Sequence, residues 1–157
     1  MARLLTATDL KIYFHILAGT VRAVDGISFH IDQGETLGVV GESGCGKSVT
    51  AMALLQLIPM PPGELVEGRT EFEGMDLLRL NSDQIRQVRG NRISMIFQEP
   101  MTSLNPVFTI GNQIQEAIQL HQGLKANESE EKAVEMLDLV GIPDPRRRVR
   151  EYPHQLS

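Results

Sequence analysis

Eight residues, Gly41-Glu42-Ser43-Gly44-Cys45-Gly46-Lys47-Ser48, constrain this chain more than any others. They match G-x-x-x-x-G-K-[ST], and the flanks are the ones this pattern needs. The apolar run Thr36-Leu37-Gly38-Val39-Val40 precedes it, and Ala51, Leu54, Leu55 and Ile58 follow at helical spacing up to Pro59. A strand, a tight loop and a helix in that order predict an α/β fold. The short, wholly apolar run suits a strand covered on both faces, as in a parallel sheet. Glycines at 41, 44 and 46 free the backbone to turn consecutive N–H groups inward as a nest for an anion. The helix starting near Lys47 adds its positive end and its unpaired N–H groups. Lys47 supplies a point charge for the β- and γ-phosphates of a nucleotide. Ser48 supplies a hydroxyl ligand for Mg²⁺, which prefers oxygen. Gly41, Glu42, Ser43, Gly44, Cys45, Gly46, Lys47, Ser48 and Val49 are therefore the expected nucleotide contacts. The motif alone does not separate an ATPase from a GTPase or a kinase. Cys45 is the only cysteine, so a bulky thiol reagent is expected to block nucleotide binding there.

The rest of the sequence bounds the class. Of its 157 residues 41% are hydrophobic and 22% charged, which excludes a disordered chain. With no Trp and few other aromatics, the core must be aliphatic. The net charge of −5 argues against a broad basic surface for nucleic acid. No apolar run reaches the roughly 20 residues of a membrane span, and the start lacks a signal-peptide stretch. A soluble, cytosolic chain is expected. The lone cysteine excludes a disulfide framework, and His15, His30, His121 and His154 lack metal-ligand spacing.

Periodicity places the elements. Leu5 and Ala7, then Leu10, Ile12 and Phe14, read as β-structure, as do Val24, Ile27, Phe29 and Ile31 after Gly19. Arg69–Glu73 is a short strand candidate and Arg92–Phe97 an apolar one. Asn81 with Gln84 is a capping box for a helix to Arg89. Thr109 caps a helix with Ile110, Ile114, Ala117 and Ile118 on one face, ended by Gly123. Asn127 with Glu130 caps another, with Ala133, Leu137 and Val140 buried. Arg146-Arg147-Arg148-Val149-Arg150 reads as a solvated helix face rather than a nucleic-acid site.

Phe97-Gln98-Glu99-Pro100-Met101-Thr102-Ser103-Leu104-Asn105-Pro106 resembles the Q-loop of ABC transporter ATPases, in the form of the oligopeptide and dipeptide importers. Ala23–Phe29 resembles that family's N-terminal β-segment. Gly141–Pro145 and Tyr152-Pro153-His154-Gln155-Leu156-Ser157 resemble the approach to its signature motif. Importers of nickel and glutathione share the pattern, so the solute stays open. The resemblance implies a P-loop NTPase of ABC type: an N-terminal antiparallel β-subdomain, part of a parallel core sheet, and the start of a helical subdomain. It places a nucleotide-binding core at 1–98 and a partial helical subdomain at 99–157. It implies that Phe14, with Tyr13 the neighbouring candidate, stacks on adenine. Gln98 would reach Mg²⁺ and the attacking water beside the catalytic Lys47, and Ser157 would donate to the γ-phosphate held by a second subunit. The cofactors implied are ATP and Mg²⁺. The partners implied are transmembrane permease subunits and a second ATPase subunit, with a solute-binding protein engaged only indirectly. The location implied is the cytoplasmic face of a prokaryotic inner membrane.

In that family the Walker B strand, its catalytic Glu and the switch His follow the signature. Leu137-Asp138-Leu139 lies on a predicted helix and Met95–Glu99 is the Q-loop, so neither stands in for them. The expectation is a fragment cut within the signature motif, with very weak hydrolysis by these residues alone. The alternatives are a non-catalytic nucleotide-binding fragment and an unrelated P-loop kinase or GTPase. The last leaves the Q-loop and the Tyr152–Ser157 segment unexplained.

Overall fold

The computed structural model describes residues 2–97 and 104–156, in two compact units, Met1–Arg89 and Gly90–Ser157. Arg89, the last residue of the first unit, bonds back to Leu55 and Gln56.

The first unit is built on a four-stranded antiparallel sheet in the order β2-β1-β3-β4: β1 Arg3–Ile16, β2 Gly19–Asp32, β3 Gly63–Phe72 and β4 Met75–Asp76. β1 is central, and Phe14 pairs with Val21 on one side and Gly63 on the other. β3 starts well before the expected Arg69, since pairing with β1 recruits residues of weak strand pattern.

Burial along β1 changes parity. Leu5 and Ala7 are buried, then Leu10 and Ile12. The registers with both neighbours slip at this point, a bulge that inserts one residue and flips the alternation. Asp9 sits there at φ 46°, its N–H donating to Ser28 Oγ at 2.9 Å. Gly68 must lack a side chain: a Cβ would stand 2.7 Å from Leu10 Cα. Beyond the bulge, Leu10, Ile12 and Val24 pack with Ala53 and Ile58 into the unit's core. Ala53 belongs to α1, Lys47–Leu54, the helix after the glycine loop.

α1 is shorter than the sequence predicts. Gln56 takes the left-handed conformation at φ 51° and turns the chain off the helix. Leu57 N donates to Met52 O at 2.9 Å and Gln56 N to Ala53 O at 3.0 Å, the paired bonds of a Schellman closure. α2, Ser82–Val88, carries the predicted capping box: Gln84 N donates to Asn81 Oδ1, and Asn81 N to Gln84 Oε1, both at 3.0 Å.

The strands expected at Thr36–Val40 and Arg92–Phe97, the expected part of a parallel sheet, form no ladder among the described residues. A strand needs a paired neighbour, and the described strands pair only with one another, antiparallel. Val40 and Ile96 are accordingly 95% and 92% exposed.

The second unit holds α3 Ile110–Gln122, α4 Ala126–Leu139 and α5 Pro145–Arg148. Thr109 caps α3 through Asn112 N at 3.2 Å, and Gly123 ends it at φ 66°. α4 starts slightly earlier than expected, with Lys125 N donating to Glu128 Oε2 at 3.0 Å in place of the Asn127–Glu130 box. Ile110, Ile118, Ala133, Leu137 and Val149 form the core. Ala117 and Val140 are exposed, contrary to expectation; Val140 lies past the last turn of α4.

Candidate functional site

The glycine loop is anchored by β2 and α1. Its carboxyl end is Gly46, the N-cap of α1, at φ 91° and ψ 1°. Gly46 is buried against the carbonyl of Ala23 in β2, at the point where β2 slips register opposite Ile12 and Tyr13. A Cβ at residue 46 would stand 2.2 Å from that oxygen, so only glycine allows the approach. Gly44 is also left-handed, at φ 83°, with nothing within 4 Å of the Cβ position. Cys45 N closes the turn onto Glu42 O at 3.3 Å.

α1 offers this loop an open end. No side chain caps its first turn, and no acidic residue lies in it. The opening N–H groups of a helix have no intrahelical acceptor, and its dipole favours negative charge there. The Lys47 ammonium is held over the loop by the carbonyls of Gly41 at 2.7 Å and Glu42 at 2.6 Å. Ser48 and Cys45 are exposed, and Cys45 Sγ lies 3.5 Å from Lys47 Nζ. Unpaired N–H groups, an ammonium and a hydroxyl at one exposed turn form the donor set that a nucleotide's phosphates and their Mg²⁺ require. The residues present therefore fit both groups.

The aromatic candidates separate. Phe14 lies on the face of β1 that packs toward α1, partly buried against the core. Tyr13 points to the other face, donates to Asp25 Oδ1 at 2.6 Å and carries the Arg22 guanidinium over its ring. That bond holds the Tyr13 phenol above its ordinary value and the Asp25 carboxyl below the usual range. Phe14 thus shares a face with the phosphate-loop helix and Tyr13 does not. Gln98 and Ser157 lie outside the described residues.

The described segments on the chain toward those two positions, residues 105–113 and 149–151, are tied by hydrogen bonds. Gln113 of α3 accepts from Asn105 N at 2.9 Å and donates to the carbonyls of Asn105 and Phe108, both at 3.0 Å. This fastens residues 105–108 to the helix. The start of α3 grips the approach to Ser157: Ile110 N donates to Glu151 O at 2.9 Å and Gly111 N to Val149 O at 2.7 Å. The arginine run is matched by glutamates. Arg146 makes a two-pronged pair with Glu131, Arg147 and Arg148 both reach Glu151, and Arg150 faces Glu130. Arg146 holds Glu131, and Arg148 then Arg147 hold Glu151, below the usual carboxylate range. Sequence reading singled out none of Gln56, Arg89, Gly111 and Gln113. Only Gln113, four residues after the predicted cap Thr109, had a positional signal.

The ABC transporter family profile matches residues 24–157. The chain is 53% identical over 154 residues to the Probable peptide ABC transporter ATP-binding protein y4tR of Sinorhizobium fredii, covering 98% of this chain and 46% of that protein. It is 50% identical over 157 residues to the oligopeptide transport ATP-binding protein OppD of Bacillus subtilis, covering 100% of this chain and 44% of that protein. It thus spans about half the length of the curated relatives it matches. Among solved structures it resembles the ATP-binding cassette MJ0796, determined as a dimer in a post-hydrolysis state with ADP and Pi. The TM-score is 0.81 at 21% identity, covering 98% of this chain and 63% of that one, a likeness of fold.

Proposed function

The chain belongs to the ABC transporter family, and we propose that it forms the nucleotide-gripping part of an ATP-binding subunit that powers peptide import. The observation that carries the proposal is the open N-terminus of α1 under the Lys47 ammonium, at a loop where Gly46 admits no side chain. The names of the relatives support the peptide class: the first five are peptide, oligopeptide or dipeptide proteins.

The roles are these. The N–H groups of residues 41–49 bind and orient the phosphates of ATP, and Lys47 neutralises their charge. Ser48, with Gln98, holds Mg²⁺, which when bound screens the phosphate oxygens and so eases attack. Gln98 also orients the attacking water, Phe14 stacks on adenine, and Ser157 faces the nucleotide of a second ATPase subunit. Transport and hydrolysis belong to the whole protein, docked on permease subunits at the cytoplasmic face of the membrane. In this reading the residues named above supply the binding of ATP. No helix among the described residues is long and apolar enough to cross a membrane.

The test is equilibrium binding of labelled ATP with Mg²⁺ to the chain and to Lys47→Ala. Saturable binding that Lys47→Ala reduces at least tenfold is expected; equal affinity for both chains overturns the loop's role.

A further inference from the structure

The phosphate-loop helix is held at its far end by a cation that the binding site does not explain. Where Gln56 turns the chain off α1, the carbonyls of Leu55 and Gln56 are left beyond the helical hydrogen-bond ladder. Arg89 takes both: Nε donates to Leu55 O at 2.8 Å and Nη2 to Gln56 O at 2.7 Å. The Gln56 amide in turn donates to Leu77 O at 2.6 Å and Leu80 O at 3.0 Å. Arg89 is itself fixed as the C-cap of α2, its N–H on Ile85 O at 2.9 Å, and Ile85 and Val88 of that helix are buried.

We infer that Arg89 is a positioning residue for the nucleotide site, an inference that rests on the ATP-binding reading above. α1 has eight residues, so it is a rigid rod of about 12 Å. A rod of that length carries a tilt at one end to the other almost undiminished. Its loop end has no side-chain cap, and Gly46 supplies only a backbone contact. Packing of Val49, Met52 and Ala53 on the core holds α1 along its side, and Arg89 fixes its far end. A guanidinium does this where another cation would not: its planar fork donates two bonds at a fixed angle, while an ammonium is a point charge free to rotate. The positive charge also suits the negative end of the helix dipole. Arg89 never touches the phosphates; it sets where the N–H groups after Gly46 and the Lys47 stem point.

The experiment compares the full chain with Arg89→Met, Arg89→Lys and Lys47→Ala, using fluorescent ATP and the matching fluorescent adenosine as probes, with a thermal melt of each free protein. The expected result is that Arg89→Lys, folded and melting close to the parent, loses about tenfold in ATP affinity while adenosine affinity stays within about twofold. Arg89→Met is expected to lose more of both stability and ATP affinity. Should Arg89→Met not fold, Arg89→Lys decides alone. An unchanged ratio of ATP to adenosine affinity in Arg89→Lys, beside a Lys47-dependent parent, overturns the inference and leaves the ATP-binding reading intact. A parent chain that fails to bind ATP overturns both.

Discussion

Gly46→Ala tests the way β2 positions the phosphate loop. Two independent effects oppose the added methyl group. The backbone at 46 has φ 91°, where an L-residue with a Cβ loses about 1–2 kcal/mol. The Cβ would also stand 2.2 Å from Ala23 O, against 3.4 Å or more for an ordinary contact. Loop and strand must therefore part by about 1 Å, and overpacking of this kind costs about 1–3 kcal/mol. Ala23 is poorly placed to yield, because its neighbour Val24 is buried in the core with Ala53 of α1. Together the two effects predict about 2–5 kcal/mol of destabilisation, or a melting point lower by about 5–15 °C for a chain of this length. Two companion variants separate the effects. Gly44→Ala and Gly34→Ala share the left-handed backbone, at φ 83° and φ 78°, but neither Cβ meets anything within 4 Å. Each should lose only the smaller, conformational part. Melts and ATP titrations of the three variants are the assay. Gly46→Ala is expected to be the least stable and the weakest binder, and Gly34→Ala, outside the loop, to keep parental ATP affinity. Equal destabilisation in all three would refute the claim that the carbonyl of Ala23 enforces glycine at 46.

Gly111→Ala places a Cβ 2.5 Å from both Val149 Cγ2 and Val149 O without any left-handed strain, so unfolding titrations should show a loss of about 1–3 kcal/mol. A parental midpoint would mean that α3 does not grip the 149–151 segment closely. Bulky maleimides should label the exposed Cys45 and abolish ATP binding, and saturating ATP should slow the labelling; equal rates with and without ATP would remove Cys45 from the nucleotide's footprint. Glu131 and Glu151 are held below the usual carboxylate range by their arginines, so their ion pairs stabilise the fold fully at neutral pH. That contribution fades as pH drops below the ordinary glutamate value of about 4.3 and through the lowered folded values. Melts from pH 7 to pH 3 should show Glu151→Gln less acid-sensitive than the parent, and parallel profiles would count against the pairing.

The loop was legible because its chemistry is local. Glycine at 46, a lysine at 47 and a hydroxyl at 48 state their roles within three residues, and the flanking periodicities state the rest. The strand character of β1 was legible for the same reason, but the bulge at Asp9 was not read, although Leu5 and Ala7 followed by Leu10 and Ile12 is a period of two with one residue inserted. Arg89 and Gln56 were not legible, because their partners are backbone carbonyls, which leave no trace in a sequence. A left-handed helix stop is expected at glycine, and here glutamine occupies it, held by its own amide bonds to Leu77 and Leu80. Gly111 was hidden likewise, since its neighbour Val149 is distant in sequence.

The runs at 36–40 and 92–97 separate two things that hydrophobic pattern is often taken to say at once. A short apolar run states that both faces of the segment must be covered; it does not state by what. The four paired strands carry a second, independent signal: polar residues alternate with apolar ones, so each strand has a solvent face and can pair in an antiparallel sheet with one side wet. Leu37, Val39 and Val40 carry no such alternation, and among the described residues they find no ladder and stand 38%, 61% and 95% exposed. Antiparallel pairing can be settled by a hairpin, as the turn between Ile16 and Gly19 settles β1 against β2. Pairing of a doubly buried strand requires a crossover from distant chain. The part of this fold that forms its own ladders is the antiparallel part, whether the partner is near in sequence, as β2 is to β1, or distant, as β3 is. The phosphate loop joins the two regimes: its carboxyl side rests on β2 and α1, which are fixed by local pairing and packing, and its amino side continues the run at 36–40, which is not. Gly46, Lys47 and Arg89 lie on the first side, so variants at these three positions read the grip on nucleotide with the least interference from how the run at 36–40 is covered.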